Sequence, residues 1–171
     1  LVVTNAHVVD GMTEVRVATS QEWLGRSGTV EHFDPALDVA VIRVPGLGRP
    51  PLAVAPAPEV GTALAVAGYP GGAGITVKAG RMRGIVQANG LDIYGTTEVN
   101  RSVVVIEGMV VPGNSGGPVL DAQGRVVGLV FAATTDEQAG TGYALAPKEF
   151  VDLAREEYVP TIAPSAHTCS Q

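Results

Sequence analysis

A serine framed by glycines is the residue of this sequence best suited to chemistry. Ser115 lies in the stretch Pro112-Gly113-Asn114-Ser115-Gly116-Gly117-Pro118, between apolar runs at 102–106 and 125–131. Glycine allows backbone conformations that a side chain would forbid, so such a turn can aim consecutive N–H groups at one point. An oxyanion is bound in that way, with the serine hydroxyl beside it as the nucleophile. On its own, the stretch is only a tight turn between two strands.

Two upstream residues would complete a nucleophilic site. A serine hydroxyl is a poor nucleophile at neutral pH, so it needs a base to take its proton and a carboxylate to orient that base. His7 is polar within the apolar run 1–9, and Asp38 stands at the mouth of the apolar run 39–44. Each alone has an ordinary explanation, as a hydrogen-bonded core histidine and as a turn residue. In the order His, Asp, Ser they match the triad of chymotrypsin-type barrels.

Other residues of the same types lack the matching context. Asp34 is close to Asp38, but it belongs to an Asp-Pro turn that it is expected to cap. His32 lies near both aspartates, and His167 is in the tail. Three serines have no glycine frame: Ser27, Ser102 and Ser165. No His/Cys/Asp/Glu cluster has metal-ligand spacing, so neither a metal site nor a cofactor is predicted.

The composition excludes several classes of function. A formal net charge of -6 over 171 residues argues against a nucleic-acid partner, which needs a basic face. No apolar run approaches the roughly 20 residues needed to span a bilayer. Valine, glycine and proline are abundant and amphipathic helices are scarce, which indicates many short strands joined by turns. We therefore expect an all-β barrel or sandwich.

The strands are expected to form one domain, 1–171, built from two halves. A proline-rich connection at 45–58 is the best candidate for a seam. It separates an N-terminal half, 1–50, from a C-terminal half, 59–147. Within the first half, residues 20–27 are expected to be a turn or hairpin tip that carries Trp23.

The C-terminal segment contains the one expected helix and the one cysteine. Residues 147–158 have Pro147 at the first turn and apolar residues at helical spacing, which predicts a helix. Cys169 has no other cysteine to pair with inside this chain. It is either an exposed free thiol or half of a bridge to a cysteine outside the chain.

Three motifs give the sequence a family resemblance. They are Thr4-Asn5-Ala6-His7-Val8-Val9, Asp34-Pro35-Ala36-Leu37-Asp38-Val39-Ala40-Val41 and Gly113-Asn114-Ser115-Gly116-Gly117-Pro118. Together they resemble the trypsin-like serine peptidases of the HtrA/DegP type. Two further segments, Gly68-Tyr69-Pro70-Gly71-Gly72 and Asp92-Ile93-Tyr94-Gly95, are most similar to the MarP-like branch. That branch contains the membrane-anchored periplasmic acid-resistance proteases of mycobacteria and their relatives.

The resemblance implies a serine endopeptidase that acts on protein or peptide substrates through an acyl-enzyme intermediate. Ser115 is implied as the nucleophile, His7 as the general base and then acid, and Asp38 as the orienting carboxylate. The N–H groups of Gly113 and Ser115, with Asn114 between them, are implied as the oxyanion hole. The implied fold is a chymotrypsin-like double β-barrel, with Ser115 on the second barrel and the other two triad residues on the first.

Two features depart from the pattern of the digestive trypsin-like enzymes. Asn114 stands where those enzymes have an aspartate that pairs with a freed N-terminal ammonium. Activation by that salt bridge is therefore not expected. The sequence also starts at the strand that leads to His7, so the resemblance implies a truncated N-terminal barrel with an exposed edge.

The resemblance also implies a substrate pocket and a cellular location. The pocket would be lined by Met109, Phe131, Ala132, Ala133 and Gly142. Met109 stands where trypsin has its pocket aspartate, so we expect an apolar or small P1 residue rather than Arg or Lys.

MarP-like proteins carry membrane helices before the protease domain, which implies a multi-pass, membrane-anchored parent with an extracytoplasmic protease. They also have a disulfide that staples the domain, and Cys169 would be its C-terminal half. The same resemblance implies a role in envelope stress or acid resistance.

Two other functions stay open from the sequence. A protease fold can lose its activity and persist as a catalytically silent binding module, and a serine esterase would use the same triad. Because all three triad residue types are present in the matching motifs, the peptidase is favoured.

Overall fold

The computed structural model describes residues 1–20, 22–72, 74–108, 110–133 and 140–153. These residues form ten β-strands and three short 3-10 helices. The strands are β1 (Val2–Thr4), β2 (Glu14–Thr19), β3 (Glu22–Asp34), β4 (Val39–Arg43), β5 (Ala63–Gly68), β6 (Thr76–Leu91), β7 (Glu98–Glu107), β8 (Pro118–Leu120), β9 (Val126–Ala133) and β10 (Thr141–Leu145). The 3-10 helices are Ala6–Val8, Pro70–Gly72 and Pro147–Glu149. The prediction of an all-β chain is confirmed.

The first four strands form one antiparallel sheet in the order β1-β4-β3-β2. Its centre is β4, where a run of β-branched and small apolar residues is buried on both faces. The apolar cluster of this sheet consists of Val9, Val30, Ala40, Ile42 and Val44. The expected turn over 20–27 is mostly strand, because Arg26 pairs with Val17 across the β2–β3 hairpin.

The other six strands close into an antiparallel barrel in the order β10-β7-β6-β5-β8-β9. Alternate residues of each strand point inward, so short Val- and Ala-rich strands are sufficient to fill the interior. The largest members of the barrel core are Leu64, Val66, Met82, Val104, Ile106, Val119, Val127 and Val130. The turn that carries Ser115 lies in the connection between β7 and β8.

Apolar packing and long-range hydrogen bonds join the sheet to the barrel. Val39 of the sheet packs in one buried cluster with Leu129, Leu145 and Phe150 of the barrel side. The β6–β7 hairpin also extends beyond the barrel, and the Ile93 N–H at its tip donates to the carbonyl of Pro35 at 3.2 Å. The loop before β4 is therefore held by both parts of the molecule.

The C-terminal segment is only partly described. Of the helix predicted over 147–158, the described part is the 3-10 helix Pro147–Glu149 followed by hydrogen-bonded turns as far as Leu153. Residues 154–158, and Cys169 with them, lie outside the described residues. In the ranges that are described, no helix has the length and apolar character required to cross a membrane.

Candidate active site

Strand pairing brings His7 and Asp38 together. β1 runs antiparallel to β4, with Thr4 opposite Ala40, so the end of β1 lies beside the start of β4. His7 follows β1 in the 3-10 helix Ala6–Val8, and Asp38 directly precedes β4. The two side chains, 31 residues apart in the chain, therefore meet at one edge of the sheet.

The contact between them is a pair of hydrogen bonds to one buried carboxylate. His7 Nδ1 lies 2.8 Å from Asp38 Oδ2 and 3.1 Å from Asp38 Oδ1, and the His7 backbone N–H donates to the same Oδ1 at 3.0 Å. The Asp38 side chain is 5% exposed, whereas the His7 ring is 38% exposed. In the neutral imidazole the proton therefore lies on Nδ1, and Nε2 is a free acceptor.

The same contact changes the proton affinity of the imidazole. The hydrogen bond with Asp38 raises the pKa of His7 above its ordinary value of 6.5, and the negative charge of the carboxylate adds to this effect. Partial burial of the ring opposes both. The imidazolium form is therefore stabilised, as a general base requires when it accepts a proton.

Asp38 has an unusual backbone conformation. Its φ is +60°, and it is the one residue other than glycine with a positive φ among the described residues. Asp and Asn tolerate this left-handed region better than most residues do. The conformation is held from outside, because the side-chain amide of Asn5 donates to the Asp38 carbonyl at 2.9 Å.

Asp34 and His32, which lie near Asp38 in the sequence, make different contacts. The Asp34 carboxylate accepts the N–H groups of Ala36 and Leu37, both at 2.9 Å, so it caps the turn as expected. His32 lies in β3 opposite Val41 and is buried. Burial lowers the pKa of His32, so this imidazole is neutral over a wider pH range than His7.

The turn around Ser115 depends on its glycines. Gly113 has a φ of +95°, and a Cβ there would lie 2.6 Å from the Tyr69 carbonyl oxygen. Gly116 has a φ of +76° and is packed against the Thr4 side chain. Because a larger residue would be strained at both positions, the sequence signal read from these glycines has a physical cause.

Two N–H groups of this turn have no hydrogen-bond acceptor among the described residues. Within the described residues, no hydrogen bond is made by the N–H of Gly113 or of Ser115, although their neighbours are bonded. Asn114 N–H donates to the Val111 carbonyl at 3.1 Å, and Gly117 N–H donates to the Asn114 carbonyl at 2.9 Å. Asn114 itself is buried, with 1% exposure.

The Ser115 turn is docked onto the segment that leads to His7. Gly116 N–H donates to Asn5 Oδ1 at 2.6 Å and to the Val130 carbonyl at 2.9 Å. The Gly116 Cα also faces the Thr4 side chain, as described above. The structure thus places the residue after the serine against the residues just before the histidine.

The expected pocket residues are partly brought together. β9–β10 pairing sets Gly142 opposite Ala133, and Tyr143 opposite Ala132. Phe131, in the same strand, packs against the apolar cluster that joins sheet and barrel. Met109 lies outside the described residues.

A residue that the sequence reasoning missed lies at this place. The Val110 side chain packs so closely on Gly142 that a Cβ at 142 would overlap it. Its position next to Met109 in sequence was the only available signal.

Asn5 and Arg101 were also missed. Asn5 is fully buried and bonded to both the Asp38 main chain and the turn that carries Ser115. Arg101 is 9% exposed and donates to the carbonyls of Ala36 and Leu91. A polar residue inside an apolar motif was the signal for Asn5, whereas Ala36, the partner of Arg101 in the other sheet, lies 65 positions away and no local pattern indicates it.

The fold and the site define the class of protein. The chain belongs to the trypsin-like peptidase domain family, which it matches over residues 1–129. The prediction of this family, and of its chymotrypsin-like fold, is confirmed.

Within this family, the chain is similar to a mycobacterial serine protease. Serine protease Rv3671c of Mycobacterium tuberculosis is 43% identical over 150 residues, which cover 86% of this chain and 37% of the relative. The crystal structure of the active form of the Rv3671c protease has a TM-score of 0.86 at 38% identity, covering 96% of this chain and 72% of that one.

More distant relatives are of the HtrA type. A Halomonas elongata protein named "Probable periplasmic serine endoprotease DegP-like" is 33% identical over 132 residues, or 75% of this chain and 26% of that protein. The HtrA-type protease AlgW with a decapeptide has a TM-score of 0.72 at 26% identity, covering 88% of this chain and 46% of that one. The chain spans little more than a third of the length of Rv3671c.

Proposed function

We propose that this domain is a serine endopeptidase in which Ser115, His7 and Asp38 act as the triad. The observation that carries the proposal is the hydrogen bond between His7 Nδ1 and the buried Asp38 carboxylate. That bond leaves Nε2 as the basic nitrogen, and the Ser115 turn is docked directly onto the segment before His7. The membership of a peptidase family supports the same reading.

The proposed reaction follows from these groups. Ser115 Oγ attacks the carbonyl carbon of the scissile peptide while His7 Nε2 takes the hydroxyl proton. The oxyanion that forms is bound by the N–H groups of Gly113 and Ser115. The C–N bond then breaks as His7 returns the proton to the leaving amine, which leaves the acyl group on Ser115.

Hydrolysis of the acyl-enzyme repeats the sequence with water. His7 takes a proton from the water as it attacks the ester carbon, and then gives that proton to Ser115 Oγ as the acid product leaves. Asp38 holds the imidazole in its tautomer and stabilises the imidazolium. No cofactor takes part in this scheme.

A fluorophosphonate probe tests the proposal. The probe is expected to label the purified protein at Ser115, and labelling and cleavage of a denatured protein substrate should both be lost in Ser115→Ala. A loss on the order of 10⁶-fold in kcat is typical for the nucleophile. A folded protein that is never labelled would instead be a silent binding module. Labelling at Ser115 with turnover of esters but of no peptide would indicate an esterase.

We extend the proposal to the place of action. The MarP-like motifs and the periplasmic name of the DegP-like relative support an extracytoplasmic protease. A multi-pass, membrane-anchored parent and a role in envelope stress or acid resistance go further and rest on the motifs alone. Alkaline phosphatase fused to the C-terminus of the full-length parent protein is expected to be active in cells. A stably expressed but inactive fusion would contradict an extracytoplasmic location.

A further inference from the structure

We infer that Asn5 is a positioning residue that holds the base–carboxylate pair and the nucleophile turn in register across the two sheets. Its side chain is fully buried, and it bonds the Asp38 carbonyl with Nδ2 at 2.9 Å and the Gly116 N–H with Oδ1 at 2.6 Å. Gly116 is 111 residues away in the chain. The inference rests on the proposed peptidase function, because it concerns the same three residues.

The two contacts fix the orientation of the amide. A backbone N–H can only donate and a backbone carbonyl can only accept, so Oδ1 must face Gly116 and Nδ2 must face Asp38. In the flipped orientation, Nδ2 would face the Gly116 N–H, donor against donor, and Oδ1 would face the Asp38 carbonyl, acceptor against acceptor. Among the natural side chains of this size, only an amide supplies one donor and one acceptor with this separation.

The Asn5 side chain does not make the capping hydrogen bond that is usual at its position. Asn5 is the N-cap of the 3-10 helix Ala6–Val8, and asparagine at an N-cap commonly accepts an N–H of the first turn. No such capping bond is made here. Both polar ends of Asn5 instead reach out to the segments that carry Asp38 and Ser115.

The positions of the contacts make them relevant to catalysis. Asn5 lies two residues before His7, bonds the Asp38 main chain itself, and bonds the residue that follows Ser115. Asp38 has a positive φ, a conformation that few residues adopt without support, and the Asn5 bond to its carbonyl holds the peptide whose carboxylate contacts His7. One amide thus touches the immediate neighbourhood of all three residues, whereas no strand hydrogen bonds join the two sheets within the described residues.

The test compares the purified protein with Asn5→Leu, which keeps the approximate size but removes both bonds. The concentration of folded, competent sites is first measured with the fluorophosphonate probe. We expect kcat per titrated site, and the rate constant of labelling, to fall on the order of 10²-fold with little change in KM, because a small misplacement of reacting groups has that effect. Asn5→Ser, which keeps a hydroxyl donor and acceptor, should retain part of the activity.

The matched control is Asp121→Asn, another buried polar residue. The Asp121 carboxylate accepts the N–H groups of Gln123 and Arg125 on Oδ1 and the Arg125 side chain on Oδ2 at 2.7 Å. An asparagine has one acceptor oxygen and no charge, so the substitution weakens the β8–β9 turn without touching the site. We expect this variant to lose stability and to keep its kcat. An unchanged kcat in folded Asn5→Leu, or an equal fall in kcat for Asp121→Asn, overturns the inference.

A measurement on the unaltered protein covers the case in which Asn5→Leu does not fold. In NMR spectra, the Asn5 side-chain amide protons are expected to exchange slowly with solvent, as the Gly116 amide proton should. Rapid exchange of the Asn5 amide protons in the native protein would overturn the inference. If instead the unaltered protein is never labelled at Ser115, the proposed function itself fails, so the two failures are distinguishable.

Discussion

The Arg101 guanidinium donates to the carbonyl of Ala36 at 2.7 Å, across the boundary between barrel and sheet. A second bond, from the same side chain to the Leu91 carbonyl at 3.1 Å, anchors it in the β6–β7 hairpin. Ala36 is two residues before Asp38, so the loop that carries the carboxylate is held by a cation that lies in another sheet.

Replacement of this arginine is expected to weaken both folding and catalysis. Arg101→Met removes two charge-assisted bonds and leaves two carbonyls without their donor, which should cost about 1–3 kcal/mol of unfolding free energy. We also expect a lower kcat, by up to about 10²-fold, because the Asp38 loop is less well fixed. Chemical denaturation and steady-state kinetics measure the two effects.

The exposed Arg83 offers a matched control. Arg83 pairs with Glu107 at 3.0 Å on the surface, and both side chains are at least half exposed. Such pairs contribute little, so Arg83→Met should leave stability and kcat nearly unchanged. Equal effects of the two arginine substitutions would refute the special role of Arg101.

The pH dependence of activity should report the His7–Asp38 bond. The pKa of His7 is raised by Asp38, and only the neutral imidazole accepts the serine proton. The acid limb of kcat/KM is therefore expected to have its midpoint above 6.5, with activity falling as the pH falls through it.

Asp38→Asn provides the comparison for this profile. Asparagine suits the positive φ, so the backbone should be retained. We expect the acid midpoint to move down, because the cause of the raised pKa is removed, and kcat to fall by about 10⁴-fold. An acid limb that stays at the same pH would show that a group other than His7 titrates.

The His7–Asp38 pair is expected to affect stability with the opposite pH trend, because its stabilising effect decreases as the pH rises. Since the pKa of folded His7 is above its unfolded value, folding binds protons, and this stabilisation is fully present below pH 6.5. It is lost as the pH rises through the folded pKa. The stability advantage of the native protein over His7→Gln is thus expected to be larger below pH 6.5 than well above it. Thermal unfolding at several pH values measures the advantage, and a constant or reversed trend contradicts the prediction.

Gly142 and Val110 should behave as an interacting pair. An added methyl group at 142 overlaps the Val110 side chain, so Gly142→Ala is expected to destabilise the barrel by about 1–3 kcal/mol. Val110→Ala should relieve much of that cost when the two substitutions are combined. Denaturant unfolding of the two single variants and the double variant gives the coupling energy.

A glycine with open surroundings is the control for this pair. Gly84 of β6 has an ordinary φ and nothing within 4 Å of an added Cβ. Gly84→Ala should therefore change the stability by no more than about 0.5 kcal/mol. Additive effects of the substitutions at 142 and 110 would show that the two side chains do not share this space.

Much of the fold and the partnership of His7 with Asp38 could be predicted from the sequence. A buried carboxylate such as Asp38 needs a hydrogen-bonding partner. The chemistry of a serine–histidine–aspartate triad indicated that this partner is His7. The abundance of valine, glycine and proline, with few amphipathic helices, predicted a chain of many short strands. The ends of β3 were not predictable, because they are set by pairing with β2 rather than by local composition.

The connections between the sheets could not be predicted for a different reason. The bond from Gly116 to Asn5 joins residues 111 positions apart, and the bond from Arg101 to Ala36 joins residues 65 positions apart. Such bonds form only when the complete sheets pack together, so no local sequence pattern predicts them. The close packing of Val110 on Gly142 likewise appears only when the barrel has closed.

The strand order also has a consequence for the newly made chain. His7 and Asp38 belong to a sheet completed by β4, whereas the Ser115 turn is fixed through Val130 of β9 in a barrel closed by β10, the last strand of the described residues. Ribosomes add roughly 5–20 residues per second and N-terminal units fold first. In the proposed peptidase, the strands that carry His7 and Asp38 are therefore translated seconds before the barrel that holds the Ser115 turn is complete, and the three residues come together only after β10 has been made.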